Sequence, residues 1–144
     1  MDLLVVIVNY QTSDHVLKNL EALVPELRSS DYDTQCWIVD NNSPDDSVDI
    51  INNVISINGY DDLVTLIANS VNSGFGAGNN VALSKASTLS SPPKYFYLLN
   101  PDAIALSGTI DKLCSHLERN SNIGVVGGPV LNADSTHNCG AFRF

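Results

Sequence analysis

Leu3-Leu4-Val5-Val6-Ile7-Val8 (LLVVIV) is an unbroken run of β-branched and aliphatic residues. A strand with one wet face alternates apolar and polar residues. A run with no alternation is the pattern of a strand covered on both faces, as in the interior of a parallel sheet. Parallel neighbours need crossover connections, usually helices. This stretch therefore predicts a βαβ architecture.

Ser13, with Asp14 in the first turn, is expected to cap a helix carrying Val16, Leu20, Leu23 and Leu27 at helical spacing. Gln35 to Val39 (QCWIV) reads as a second strand ending at Asp40-Asn41-Asn42. Ser43-Pro44-Asp45-Asp46 has the form of a helix start, with Val48, Ile51, Val54 and Ile55 as the apolar face and Gly59 past the end. Leu63 to Ile67 is the third strand. A glycine-rich loop from Asn69 follows, then a helix over about Asn80 to Ala86. Tyr95 to Leu99 (YFYLL) is expected to be a buried fourth strand, stopped by Asn100-Pro101-Asp102, because Pro101 cannot donate to a ladder. A helix over Thr109 to Arg119, a fifth strand over Ile123 to Val126, and a hairpin pairing Val130-Leu131-Asn132 with His137 to Phe144 complete the reading. The fold class is α/β: a doubly wound, mostly parallel sheet with helices on both faces. Residues 1–144 form one domain, with no linker or repeat to divide them.

Composition narrows the function. Net charge is −9, and the seven Lys and Arg residues are scattered, so the basic footprint of a nucleic-acid partner is missing. No apolar run approaches the roughly 20 residues of a membrane span, and Asp2 stands where a signal peptide would be basic. The expected location is the cytoplasm, with the inner face of the membrane as a peripheral alternative. Cys36, Cys114 and Cys139 are odd in number and widely spaced, which argues against a disulfide framework or a zinc site. Cys36 and Cys114 fall in apolar patterns and read as core.

In open α/β sheets, ligands bind beyond the carboxyl ends of the strands, where strand order reverses. Here those ends are Asn9-Tyr10, Asp40-Asn41-Asn42, the segment from Asn69 to Gly78, and Asn100-Pro101-Asp102. With strand order 3-2-1-4 the reversal falls between strands one and four, placing Asn9 and Asp102 on its two sides. Asp40 is either a turn residue or an acceptor for a base or ribose. Tyr10 either packs or stacks. Gly74-Phe75-Gly76-Ala77-Gly78 resembles a phosphate loop, since glycines let backbone N–H groups approach oxygen closely. It is neither a dinucleotide fingerprint nor a P-loop, so a nicotinamide dehydrogenase and a P-loop ATPase are disfavoured. A serine hydrolase lacks its elbow, and His15, His116 and His137 are isolated. Asp102 at a strand mouth is an oxygen ligand of the kind Mg²⁺ takes together with substrate phosphates.

Taken in order, these segments resemble the inverting glycosyltransferase family of the GT-A fold, the one numbered two, and most closely its rhamnosyltransferase-like members. The likeness rests on Val6-Ile7-Val8-Asn9-Tyr10, Val39-Asp40-Asn41-Asn42-Ser43, Asn72 through Asn80, Leu98-Leu99-Asn100-Pro101-Asp102, and Gly127 through Asp134. The fourth motif is a variant of the family's DxD, with Asn100 in the first acidic place. The resemblance implies transfer of a sugar from a nucleotide-diphospho-sugar, a UDP- or dTDP-sugar, to a sugar or lipid-linked acceptor in cell-surface polysaccharide synthesis. It further implies that Asn9, Tyr10, Asp40, Asn72, Gly74, Phe75, Gly78, Asn79 and Asn100 surround the nucleotide-sugar. Asp102 would hold a Mg²⁺ or Mn²⁺ ion. The family's catalytic base is expected beyond Phe144, because Asp134 sits in a turn with nothing to raise its pKa. A non-catalytic binding module or partner subunit is the competing class. A nucleotidyltransferase is the weaker third, lacking a basic loop after the first strand.

Overall fold

A computed structural model of the chain describes residues 1–132 and Thr136. The second arm of the expected hairpin, His137 to Phe144, lies outside the described residues, as do Asp134 and Cys139. The described chain runs β1 (Leu3–Asn9), α1 (Ser13–Ser29), β2 (Thr34–Asp40), α2 (Ser47–Ile57), β3 (Val64–Ala68), α3 (Phe75–Ser87), β4 (Tyr95–Leu98) and α4 (Thr109–Arg119). The strands form one parallel sheet in the order β3-β2-β1-β4, which meets the condition that sets Asn9 and Asp102 on the two sides of the reversal.

Alternate residues of β1 feed two cores. Leu3, Val5 and Ile7 pack with Val16, Leu20 and Leu23 of α1, Ile51 and Ile55 of α2, and Ile110 and Cys114 of α4. Leu4 and Val6 pack with Trp37, Val39 and, from α3, Ala82 and Ala86. Helices therefore cover both faces. Right-handed crossovers dictate this arrangement: β1 to β3 step one way with α1 and α2 on one face, and the return to β4 puts α3 on the other.

Several expectations shift. Thr12 precedes the first helical residue of α1, so Ser13 lies inside the helix. α2 starts at Ser47, because Ser43 is engaged at the strand ends instead of capping. α3 starts at Phe75, five residues before the expected Asn80. Gly74, at φ +89°, makes the turn into it. Gly78, Ala82 and Ala86 form a stripe of small residues that lets the helix lie close to the sheet; a β-carbon at Gly78 would stand 2.8 Å from Val8 Cγ1.

Among the described residues β4 is a half-exposed edge and not a buried strand, with Leu98 48% exposed. The fifth strand does not form: residues 123–126 join no ladder, the chain bends at Gly124, and Val125 is 88% exposed. Apolar residues alone do not make a strand when no neighbour satisfies the backbone. Between this segment and β4 lies an apolar groove of about 410 Å³ floored by Tyr97, Ile110 and Leu113. Cys36 and Cys114 are buried and free, as expected of core residues. Burial pushes their thiols up to about 12 and about 11, respectively, with nearby Asp111 adding to the rise at Cys114.

Two contrasting glycine variants test the approach of α3 to β1. Gly78→Ala should destabilise the chain by about 1–3 kcal/mol less the roughly 1 kcal/mol of helix propensity gained, read as a lowered urea midpoint. Gly76→Ala meets open space, and should leave the midpoint unchanged or raise it. A second check is chemical. At pH 8 a charged alkylating reagent should leave Cys36 and Cys114 unmodified in the folded chain, by peptide mapping, and label both once urea unfolds it.

Candidate functional site at the strand ends

β1 and β2 end side by side, with Asn9 opposite Asp40 in the ladder. Both side chains are buried, and neither could remain there unpaired without a large penalty. Asn9 Nδ2 donates to Asp40 Oδ1 at 2.7 Å, and Ser43 Oγ donates to the same oxygen at 2.7 Å. Ser43 N donates to Asp40 Oδ2 at 2.9 Å. The other end of the Asn9 amide accepts from Thr12 N and Thr12 Oγ1 at 3.2 and 2.9 Å, anchoring the start of α1. Gln11 N donates to Ser43 Oγ at 3.0 Å. Gln11 and Asn42, at φ +55° and +62°, turn the chain sharply beside this knot. Positive φ costs a Gln more than an Asn, so the surrounding bonds hold Gln11 in place. Asp40 is thus the centre of the knot, with 1% of its surface exposed.

A second amide cluster lies beyond β2 and β3. Asn41 Nδ2 donates to Asn72 Oδ1 (2.8 Å) and Gly74 O (3.2 Å), and Asn69 Nδ2 donates to Asn41 Oδ1 (3.3 Å). Gly74 N donates to Asn72 Oδ1 at 2.9 Å. These bonds fix the turn into α3, whose N-terminal end is exposed at Phe75 and Gly76. Tyr10 and Phe75 offer ring surface at 43% and 52% exposure. Gly78 and Asn79 face inward: Gly78 against Val8, and Asn79 through Nδ2 to Phe75 O at 3.0 Å. Both sequence-selected residues therefore serve packing and helix geometry in this arrangement. Asn79 Oδ1 is buried without a partner among the described residues.

Across β1, the register Val6↔Leu98 and the bond from Leu99 N to Val6 O bring Asn100 out at the level of the β1 end. Ala103 N donates to Asn100 O at 3.1 Å, closing a turn that carries Asp102 into solvent. The turn is held from beneath by Asn19 of α1, whose Nδ2 reaches Ala103 O at 2.6 Å and Asn100 O at 3.2 Å. Seven residues further along α1, the carboxylate of Glu26 accepts from Gly108 N (2.8 Å) and Ile110 N (3.0 Å), seating the start of α4.

The structure thus joins Asn9 to Asp40, and Asn72 to Gly74. It leaves Asn100 and Asp102 on the far side of β1, with no direct bond to either cluster among the described residues. Sequence reasoning missed Asn19, Glu26, Asn41, Asn69 and Ser43 as organisers. Asn19 and Glu26 were detectable, because they fall on the same helical stripe as Val16, Leu20, Leu23 and Leu27.

The donors fit a hard cation that arrives with its phosphates. Asp102 is an exposed carboxylate, and Asn100 carries an amide oxygen, a second hard donor atom. Among the described residues no three His, Cys, Asp or Glu side chains gather into a protein-only cage. No Lys or Arg lies in segments 9–13, 40–43, 69–80 or 100–103, so within these segments the positive charge offered to an anion is that of helix N-termini. The apolar groove beside β4 brings no such groups together and lies along the open flank of the sheet. Among the described residues no helix is long and apolar enough to cross a membrane.

Comparison with known proteins accords with this geometry. No curated protein matches the chain. S. aureus TarS (residues 1–349, in complex with UDP-GlcNAc) is similar in structure, with a TM-score of 0.66 and 17% identity over 84% of this chain and 32% of its own. The mannosyltransferase PcManGT from Pyrobaculum calidifontis, in complex with GDP-Man and Mn²⁺, has a TM-score of 0.66 and 17% identity over 80% of this chain and 32% of its own. The fold is the GT-A fold of these glycosyltransferases, and the chain spans about a third of the length of either. The profile of Glycosyl transferase family 2 matches residues 4–142, and the chain belongs to that family.

Proposed function

We propose that this chain is the donor-binding part of an inverting glycosyltransferase. It takes a nucleotide-diphospho-sugar, a UDP- or dTDP-sugar, for transfer to a sugar or lipid-linked acceptor hydroxyl. The single observation that carries the reading is the division of labour at the strand ends: a dry Asn9–Asp40–Ser43 knot at β1 and β2, and an exposed carboxylate at β4. The knot gives the nucleoside a rigid floor, with Tyr10 and Phe75 as ring surfaces. Asp102 and Asn100 face the diphosphate. A bound Mg²⁺ or Mn²⁺ ion would supply Lewis-acid charge to the leaving diphosphate. Asp102 holds and orients that end of the donor, and the start of α3 offers backbone N–H groups on the opposite side. The complexes of TarS with UDP-GlcNAc and of PcManGT with GDP-Man and Mn²⁺ support a nucleotide-sugar and a divalent ion as a class. Rhamnosyltransferase-like specificity, a role in polysaccharide synthesis and a cytoplasmic site of action belong to this proposal, on the motifs alone. No catalytic base is assigned among the described residues.

Asp102→Ala should remove the Mn²⁺-dependent increment in affinity for UDP or GDP, measured by calorimetry with and without EDTA. Its stability should change by no more than about 0.5 kcal/mol, as for an exposed residue outside the core. Retention of the full increment would take the metal away from Asp102. Asp40→Ala should weaken nucleosides and nucleotides alike. Because Asn9 Nδ2 and Ser43 N lose a buried acceptor, it should also cost about 1–3 kcal/mol of stability. Loss confined to diphosphates would show that Asp40 does not serve the nucleoside end. In a labelled-donor assay the 144-residue chain should transfer sugar negligibly, since general-base assistance alone is worth about 10²–10⁴-fold. Robust turnover would place a base within it.

A further inference from the structure

We propose that Asn19 is a positioning residue for Asp102: its side-chain amide sets the Asn100–Ala103 turn and thereby the direction in which the carboxylate is presented. The proposal rests on the reading of Asp102 as the ligand that holds the diphosphate's metal ion. Asn19 lies on the apolar stripe of α1 and is 1% exposed, where an aliphatic residue would satisfy the core. Its Nδ2 instead reaches three backbone carbonyls of one turn: Ala103 O at 2.6 Å, Asn100 O at 3.2 Å and, at the limit of bonding, Pro101 O at 3.5 Å. The amide orientation is forced, since the flipped form would set an oxygen against those three oxygens.

Its other end, Oδ1, is buried with no partner among the described residues. A residue kept for stability alone would not leave an acceptor orphaned, because that costs what the donated bonds supply. What the arrangement secures is geometry. The turn has one bond of its own, from Ala103 N to Asn100 O. The residue it presents is exposed and held by no bond to the two amide clusters. Glu26 performs the matching task at the far end of the same connection, through Gly108 N and Ile110 N. The stretch between β4 and α4 is therefore clamped at both ends by polar side chains of α1, and the clamp nearer the site acts directly on the Asp102 turn.

The test is Asn19→Asp, which keeps shape and replaces the donor with oxygen. In the ligand-free 144-residue chain, backbone hydrogen exchange at Ala103 should quicken by about tenfold or more. Exchange at Gly108 and Ile110, held by Glu26, and along β1 should stay unchanged. In parallel, the Mn²⁺-dependent increment in UDP or GDP affinity should fall by about tenfold, while affinity for the same nucleotide in EDTA holds. Asn19→Leu, which removes the donor without adding charge, should behave alike in both measurements and separates loss of the bond from repulsion. Unaltered exchange at Ala103, or a uniform rise across the chain, overturns the proposal. So does faster exchange at Ala103 with the metal increment intact, because Asn19 would then be structural only. If the parent chain itself shows no metal increment, the reading of Asp102 fails and the positioning role falls with it. The exchange data then still decide whether Asn19 holds the turn.

Discussion

Leu4, Val5, Val6 and Ile7 are fully buried, and that dryness is the constraint on which the rest of the molecule depends. A central strand flanked by β2 and β4 and roofed by helices on both sides has no access to water for its last polar residue. Asn9 therefore must find partners in protein, and it finds them on two elements at once: Asp40 at the end of β2 and Thr12 at the start of α1. Each of those partners fixes a turn. The walls of the site are rigid because the core beneath them leaves no alternative hydrogen bonding.

The reversal of strand order adds a second consequence. Elements on the β2 and β3 side are cross-linked by the Asn41, Asn69 and Asn72 amides, whereas the β4 side relies on two reaching residues of α1. The two halves of the mouth are thus supported by different devices. One is a local network of short side chains; the other is a helix acting as a brace. With no Lys or Arg in these segments, what they themselves offer an anionic ligand is backbone dipoles.

The parallel sheet was legible because continuous burial leaves a mark on composition: LLVVIV admits few other readings; the strand order entered only as a condition, because composition does not record which strands are neighbours. The four polar strand ends were legible for the complementary reason, since polar residues after apolar runs have nowhere else to go. Glycine was harder to read. Gly74 supplies a positive φ, Gly76 fills an open helical position, and Gly78 makes room for Val8. Three different tasks at alternate positions look, in sequence, like one phosphate loop. Ser43-Pro44 carries a helix-start signature, yet the serine is drawn away by Asp40, a partner three residues back. Residues 123–126 have strand-like content but lack a neighbour, and pairing is a property of two segments, invisible in one. Asn19 and Glu26 were passed over because apolar periodicity was counted without asking what interrupts it.

Among the described residues the outer flank of β4 has no partner strand, and an edge of that kind has a bearing on how a polypeptide behaves in a test tube. A strand edge beside apolar side chains is adhesive toward any other extended backbone, including that of another copy. What stands against it is the shared charge of −9, a long-range repulsion that acts before two molecules touch. Salt shortens that reach from about 30 Å at 0.01 M to about 3 Å at 1 M. Ionic strength therefore acts on this chain in the sense opposite to salting-in: dilute buffer keeps copies apart, and concentrated salt lets their sheet edges meet.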